Sequence, residues 1–339
     1  MRRAFAPGRV NLIGDHTDYT GGYVLPMAIQ LGTTVELEPG GADLRLSSAE
    51  DPESVGVALD VEDPGSVQPV WGRYIAGVIA EIRPPVGGRG QIRTTLPVGA
   101  GLSSSAALEV AVALALGFEG SALALALACQ RAEQRASGVP CGLMDQLTSA
   151  AGVAGHALLI DCTTNAVTPV PMPAGLDVVA VHSGQTRALA GSAYGDRRAA
   201  CERAAAIIGP LRDASLADVA SIDDPVIRRR ARHVVSENAR TLAAAEALRS
   251  GDIPTVGRLM EESHASLRDD FDVSTPALEA LTGRLRHTPG ILGVRMTGAG
   301  FGGCVVALCE PGALREGWRL QAVGGAAMTG DARAEGTGG

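Results

Sequence analysis

LPVGAGLSSSAALEVAVALAL, residues 96–116, is the stretch from which the rest of the chain can be interpreted. It passes through a loop containing Gly99 and Gly101 into a serine triplet, and an apolar run rich in alanine follows. Serine is a favoured N-cap, so a helix is predicted to begin in or near the triplet. Glycines allow a ligand to approach the backbone closely, and the positive end of a helix favours an anion. Because Gly-rich loops give many false positives, the stretch by itself fits a phosphate-binding loop or an ordinary helix start.

Composition and charge narrow the class of protein. The chain has 339 residues, of which 46% are hydrophobic and 19% charged, as expected for a folded chain of about two domains. Its net charge of −8 predicts no nucleic-acid partner, since that would need a basic patch. The sequence predicts no membrane span, because its apolar runs are interrupted by polar residues. It predicts no signal peptide either, because no apolar segment follows Arg2 and Arg3. The six cysteines form no CxxC pair, which favours reduced thiols and a cytoplasmic protein.

A dense polar cluster follows the first predicted strand, between glycines at positions 8 and 22. Its members are Arg9, Asn11, Asp15, His16, Asp18 and Tyr19. Polar groups this close together in a Gly-rich loop indicate a binding surface. The alternative is a solvated hairpin tip with Asx turns.

Residues 71–82 are predicted to form a short amphipathic helix that carries Trp71 and Tyr74 on one face. Such a flat pair could hold an adenine ring, although aromatic pairs at this spacing usually pack into the core. Further along the chain, helices are predicted over 121–136, 143–151 and most of 213–286. Their N-caps are predicted at Ser215, Ser236 and Thr275. Residues 290–308 read as strand, loop and strand, and the chain after Pro311 is Gly-rich and without a pattern.

Three separated stretches resemble the GHMP small-molecule kinases: residues 7–29, 96–109 and 296–308. In the first, GRVNLIG followed by HTDY is similar to the signature of the family's galactose-phosphorylating members. Residues 71–78 resemble the family's Trp-x-x-Tyr helix, and residues 142–146 resemble the segment that bears its catalytic aspartate. Residues 192–202 resemble a second sugar-side segment. The resemblance covers roughly residues 5–310, and the motifs occur in the family's order.

The resemblance implies an α+β fold with two domains. The expected N-terminal domain, residues 1–172, is ribosomal-protein-like and carries the ATP and sugar motifs. The expected C-terminal domain, residues 173–325, is ferredoxin-like, and residues 326–339 are expected to be a disordered tail. The active site would lie in the cleft between the domains.

The activity that the resemblance implies is ATP-dependent phosphorylation of the anomeric hydroxyl of galactose, which gives galactose 1-phosphate and ADP. Asp145 would take the hydroxyl proton beside Arg9, and Mg²⁺ would be held by Ser105 and Glu133. The implied sugar-contacting residues are Asp15, His16, Asp18, Gly142 and Tyr194. The implied ATP-contacting residues are Trp71, Tyr74, Gly99, Gly101, Leu102, Ser103, Ser104 and Ser105. We expect a monomer that binds the small-molecule sugar and ATP, with no nucleic-acid or membrane partner.

The chain departs from the family pattern at two positions near the motifs, and one of them keeps another sugar open. The family usually has Glu where this chain has Asp15, which is one methylene shorter, and a His is common where it has Arg187. Because of the shorter Asp15 side chain, the sugar could be N-acetylgalactosamine, arabinose or a uronic acid. A non-catalytic sugar sensor is the remaining alternative, but such a protein should have lost Asp145 or part of the serine loop, which we define as residues 99–105, and both are present.

Overall fold

The computed structural model describes residues 1–97, 99–186 and 190–329 of the chain, without the side chains of 190–192. The strands in these ranges are β1 (Arg2–Asn11), β2 (Tyr23–Val24), β3 (Pro26–Pro39), β4 (Asp43–Ser48), β5 (Val55–Ala58), β6 (Gly88–Thr94), β7 (His156–Asp161), β8 (Ala166–Pro171), β9 (Asp177–His182), β10 (Ile291–Met296), β11 (Cys304–Cys309), β12 (Trp318–Leu320) and β13 (Ala327–Met328). The α-helices there are α1 (Gly72–Ile82), α2 (Ser104–Ala115), α3 (Ala122–Ser137), α4 (Met144–Ala151), α5 (Ala190–Ile208), α6 (Leu216–Ala220), α7 (Pro225–Ser250), α8 (Ile253–Ser266) and α9 (Pro276–Arg286). None of these helices is long and apolar enough to cross a bilayer.

A six-stranded sheet in the order β13-β1-β3-β6-β4-β5 organises the N-terminal half. Its strands pair antiparallel except for β4 and β6, which are parallel. Helix α2 contacts β1 and β3 on one side and α1, α3 and α4 on the others. This enclosure explains why its sequence is apolar nearly all round instead of along one stripe. Gly77 lets α1 approach α3 closely, because a Cβ there would collide with the carbonyl of Ala132.

The C-terminal half is built on a four-stranded antiparallel sheet in the order β10-β11-β9-β12. Its inner face packs against α5, α7 and α9 through a buried cluster that includes Phe271, Leu281 and Val305. A three-stranded sheet, β2-β7-β8, contacts α7 through β2 and β8. These contacts place the loop between β1 and β2, residues 12–22, against the C-terminal helices. The mixed architecture confirms the predicted α+β class.

Two of the three predicted N-caps are confirmed. Ser215 and Thr275 cap α6 and α9, with their side chains accepting from Asp218 N and Leu278 N. The N-cap predicted at Ser236 is wrong, because this residue lies inside α7 and its Oγ donates to the carbonyl of Arg232 at 2.7 Å. The cap of α7 is Asp224, which is followed by a proline at the first helical position.

The chain after Pro311 differs from the sequence prediction. It forms β12, which pairs with β9, and β13, which pairs with β1 at Ala4 and Phe5. The predicted disordered tail over 326–339 is therefore wrong at residues 326–329: residues 327 and 328 complete the edge of the six-stranded sheet, and the backbone N–H groups of residues 326 and 329 donate to Ser149 and Arg3. Residues 330–339 of the predicted tail lie outside the described residues, as does Arg187.

Arg212, in the turn after α5, connects the two halves of the chain. Its guanidinium binds both carboxylate oxygens of Asp161 on β7, with Nη2 2.7 Å from Oδ2, and donates to the carbonyl of Gly21 at 3.0 Å. The same group lies 4.5 Å from the ring centre of Tyr23. The hydrogen bonds from Arg212 lower the pKa of Asp161 below its ordinary value. The ionised carboxylate is thus the form that stabilises the fold.

Replacing Asp161 by asparagine should lower the melting temperature at pH 7 by roughly 1–2 °C, since a partly exposed pair contributes at most about 1 kcal/mol. The pKa is lower in the folded state than in the unfolded state. The contribution is therefore complete above about pH 4 and is lost as the pH falls. Thermal unfolding of both proteins between about pH 7 and pH 3 measures this. A difference in melting temperature that does not shrink with acid would contradict the assignment.

Candidate active site

A cavity of about 300 Å³ brings together residues from both halves of the chain. The predicted site residues that line it are Arg9, Asp15, His16, Asp18, Tyr74, Glu133, Gly142, Asp145 and Tyr194. Gly298 and Ala299, from the loop between β10 and β11, also line it. Segments more than 150 residues apart in the chain thus converge on one concave, polar site.

Arg9 and Asp145 form a bidentate pair in this cavity. Arg9 lies on β1 and Asp145 in the first turn of α4; Nε and Nη2 of the arginine are each 2.7 Å from a carboxylate oxygen. The arginine side chain is 5% exposed and that of Asp145 29%, so the carboxylate can be reached from the cavity while its partner is buried. Fork-to-fork pairing of this kind fixes orientation as well as charge.

The serine loop is attached to this pair. Arg9 donates through Nη1 to the carbonyl of Gly101 at 2.7 Å and through its backbone N–H to the carbonyl of Leu102 at 3.1 Å. Gly99 and Gly101 have positive φ angles of 74° and 81°, and Ser103 lies in the left-handed region at φ 61°. Non-glycine residues in that region often mark functional sites.

The predicted start of the helix is confirmed, because α2 begins at Ser104 with Ser103 at the N-cap position. The side chain of Ser103 makes no capping hydrogen bond, however. Its Oγ donates instead to Asp145 Oδ2 at 2.5 Å. The serine loop and the candidate catalytic carboxylate are therefore in direct contact.

Ser105 and Glu133 lie next to each other, as the proposal of a shared ion requires. Ser105 Oγ donates to Glu133 Oε1 at 2.9 Å across the α2–α3 interface. Gln146 bridges the other oxygen of Glu133 to Glu109, with Nε2 3.1 Å from Glu109 Oε2. Burial raises the pKa of Glu133, and the charge of Asp145 adds to this. Burial and then the charge of Glu133 raise the pKa of Glu109 well above its usual range.

Two adjacent side chains in the loop between β1 and β2 form hydrogen bonds to the loop after β10. Asp15 Oδ1 accepts the N–H of Gly298 at 3.0 Å, and His16 Nε2 donates to the carbonyl of Ala299 at 3.2 Å. His16 has a positive φ of 65°, and its Nδ1 lies 2.9 Å from the hydroxyl of Tyr19. Both ring nitrogens of His16 therefore have protein partners, and its ring helps to shape the cavity wall.

Asp18 and Gly142 meet at the opposite wall. A Cβ at position 142 would collide with the carboxylate of Asp18, so a glycine is required for this close approach. Burial, and then the negative charge of Asp145, raise the pKa of Asp18 to about 6. Tyr194 packs near His16 and Tyr19, with ring-centre distances of 5.7 and 5.4 Å. These contacts place a carboxylate beside an aromatic wall.

The aromatic pair of α1 is divided between two environments. Tyr74 lines the cavity, and burial, followed by the charge of Glu133, raises its pKa to about 12. Trp71 packs against the apolar cluster beneath the six-stranded sheet and does not belong to the cavity lining.

Several residues around the site were missed by reasoning from the sequence. Glu109 and Gln146 support Glu133, while Arg295, Glu237 and His233 form a buried polar cluster behind Asp15. An acid inside the apolar run of α2 was a usable signal for Glu109. Nothing in the local pattern of β10 or α7 marks the other three, because their partners Gly14 and Asp15 lie more than 200 residues away in the chain.

Comparison with known families gives three consecutive matches along the chain. The galactokinase galactose-binding signature matches residues 2–39. The GHMP kinases N terminal domain matches residues 73–153, and the GHMP kinases C terminal domain matches residues 244–323. The first match contains Arg9, Asp15 and Asp18, and the second contains the serine loop, Glu133 and Asp145.

Individual relatives agree with these matches. A galactokinase from Chloroflexus aggregans is 44% identical over 330 residues, covering 91% of this chain and 84% of the relative. The crystal structure of Lactococcus lactis galactokinase complexed with galactose superposes with a TM-score of 0.89 at 31% identity, covering 97% of this chain and 95% of that one. The L. major mevalonate kinase in complex with R-mevalonate shares the fold, with a TM-score of 0.65 at 19% identity over 95% of this chain and 96% of that one. The chain therefore belongs to the galactokinases, sugar kinases of the GHMP family.

Proposed function

We propose that the protein transfers the γ-phosphoryl group of ATP to the anomeric hydroxyl of galactose, giving galactose 1-phosphate and ADP. The observation that carries this proposal is the bidentate Arg9–Asp145 pair. It faces the same cavity as the candidate sugar residues and is hydrogen-bonded to the serine loop. Phosphoryl transfer needs a positioned alcohol and stabilisation of developing negative charge, with little further chemistry from the protein.

In the proposed reaction the anomeric oxygen of galactose forms a bond to the γ-phosphorus, and the bond from that phosphorus to the β–γ bridging oxygen breaks. Asp145 accepts the proton of the anomeric hydroxyl. Arg9 holds the carboxylate in place through two hydrogen bonds and supplies a fixed positive charge beside the transferred group. Ser103, bonded to the same carboxylate, connects its position to that of the serine loop.

Mg²⁺ is proposed to accompany ATP at Ser105 and Glu133. A hydroxyl and a carboxylate 2.9 Å apart are hard oxygen ligands of the kind this ion prefers. Within the described residues no group of three or more His, Cys, Asp or Glu side chains could hold a metal alone. This agrees with an ion that is bound partly by phosphate oxygens. When bound, the ion would neutralise charge on the β- and γ-phosphates.

The remaining assignments concern ligand binding. Asp15, Asp18, Gly142, His16 and Tyr194 are proposed to form the galactose subsite. ATP is proposed to lie along Gly99, Gly101, Leu102, Ser103 and Ser104, with Tyr74 at its adenine end and Trp71 behind it. We further propose a domain division at residues 172 and 173, a monomeric protein and a cytoplasmic location.

A substrate panel tests this function. Purified protein is incubated with ATP, Mg²⁺ and, in turn, galactose, N-acetylgalactosamine, arabinose and galacturonic acid, and the product is identified by phosphorus NMR. We expect galactose to have the highest kcat/KM and its product to carry phosphate on C1. Faster turnover of another sugar, or phosphate on another carbon, would contradict the proposal.

A further inference from the structure

An ion pair with almost no exposed surface lies at the wall of the candidate galactose subsite. Arg295 on β10 has no exposed surface, and its Nη2 lies 2.5 Å from Asp15 Oδ2. The other carboxylate oxygen of Asp15 accepts the N–H of Gly298. Both oxygens are thus held by β10 and the loop that follows it, while Asp15 still lines the cavity.

Arg295 is itself held in place from two directions. Its Nη1 donates to the carbonyl of Leu12 at 3.1 Å, and its Nη2 lies 3.9 Å from Glu237 Oε1 on α7. Burial alone would raise the pKa of Glu237, but electrostatic interactions with Arg240, and then with His233 and Arg295, outweigh it and lower the pKa to about 2. Arg295 is therefore fixed between two carboxylates, of which Asp15 alone lines the cavity.

The consequence for Asp15 follows from the energetics of buried charge. A carboxylate that is 2% exposed needs a partner of opposite charge to keep one orientation, because an unpaired buried charge is strongly unfavourable. The guanidinium of Arg295 is that partner. The short aspartate side chain also stays close to β10, and its rotation is limited by the contacts to both Arg295 and Gly298.

We propose that Arg295 is a positioning residue for sugar recognition, which holds the charged carboxylate of Asp15 in the orientation that receives a galactose hydroxyl. The inference rests on the proposed function, because galactose is the ligand. Among the described contacts, Arg295 makes none to Asp145 or Arg9. It therefore acts on sugar binding and not on phosphoryl transfer.

The test is a double-mutant cycle with Arg295→Met, Asp15→Asn and the double variant. Each single change should raise KM for galactose about tenfold or more, while kcat stays within about threefold. Because Arg295 acts through Asp15, KM of the double variant should match that of Asp15→Asn. If the two effects on KM multiply, or if Arg295→Met leaves KM unchanged, the inference is wrong.

Two further variants separate positioning from folding. Arg295→Lys keeps the positive charge but loses the planar guanidinium group. This variant should therefore fold even if Arg295→Met does not, and its KM for galactose should lie between those of the wild type and Asp15→Asn. Arg240→Met is the matched control, because Arg240 also binds Glu237, with Nε 2.8 Å from Oε2, but does not contact Asp15. It should lower the melting temperature and leave KM within about twofold. An equal rise of KM in Arg240→Met would show that any damage to the cluster has this effect, which overturns the inference.

Monodeoxy analogues of galactose identify the hydroxyl concerned. The wild type should discriminate against one deoxy analogue that Asp15→Asn accepts as well as galactose. Arg295→Lys should lose discrimination against that same analogue. Different analogues for the two variants would contradict the inference. Failure of the proposed function would appear separately, as a wild-type protein that does not phosphorylate galactose.

Discussion

Replacing Asp145 by asparagine is expected to lower kcat for galactose phosphorylation by about 10²–10⁴-fold, the range that general-base catalysis contributes. Asparagine fills the same space and can still accept one hydrogen bond from Arg9, but it cannot take the proton of the anomeric hydroxyl. Because the proposal has Asp145 contacting the reacting hydroxyl and other residues holding the sugar ring, KM for galactose should change by no more than a few-fold. Steady-state kinetics with saturating ATP and Mg²⁺ measure both quantities.

Asp161→Asn is the matched control for this experiment. Asp161 is also held in a bidentate pair by an arginine, Arg212, but it lies outside the cavity lining. We expect it to lose some thermal stability and to keep kcat within about twofold. If Asp145→Asn retained the wild-type kcat, or if both variants lost activity alike, the role assigned to Asp145 would be refuted.

The second large effect is expected for Glu133→Gln. The substitution removes the charge that would face Mg²⁺ and also disturbs the hydrogen bonds from Ser105 and Gln146. The Mg²⁺ concentration for half-maximal activity should rise at least about tenfold, since losing even an outer partner of a metal site costs that much. The variant should also bind a non-hydrolysable ATP analogue more weakly than the wild type in the presence of Mg²⁺, as measured by calorimetry. This readout does not depend on turnover.

Glu81→Gln controls for damage to α3. Glu81 binds Arg131 and Arg135, which flank Glu133 on the same helix, but it does not line the cavity. Its Mg²⁺ requirement should equal that of the wild type. An unchanged Mg²⁺ requirement in Glu133→Gln would show that the ion is held elsewhere.

Local patterns in the sequence predicted much of the fold. The serine loop and start of α2, the helix over 71–82 and the strand-loop-strand over 290–308 all depend on caps, periodicity or glycine breaks within a few residues. The structure has α1 at Gly72–Ile82, β10 at Ile291–Met296 and β11 at Cys304–Cys309, close to these predictions. Each of these elements carries its own signal.

Other elements depend on distant partners and could not be predicted in that way. Strands β12 and β13 are three and two residues long, and their pairing comes from β9 and β1, far earlier in the chain. Ser236 looked like a cap because serine favours that position. The 26-residue α7 continues through it, with the serine hydroxyl bonded back to Arg232. Tertiary packing overrides the weak preference of a single residue.

The candidate site shows the same division. The motifs supplied Arg9, Asp145 and the serine loop, and the structure brings them within hydrogen-bonding distance. They could not reveal that the carboxylate of Asp15 is shared with a buried arginine on β10, because no single stretch of sequence contains both partners. Buried ion pairs are properties of the folded chain.

The central claim is that the Arg9–Asp145 pair receives the anomeric hydroxyl of galactose. A crystal structure of the protein with galactose and a non-hydrolysable ATP analogue tests it most directly. We expect the anomeric oxygen to lie within about 2.6–3.2 Å of an Asp145 carboxylate oxygen, on the side that faces the terminal phosphate. Galactose bound with a different hydroxyl toward Asp145, or a terminal phosphate outside this cavity, would contradict the account.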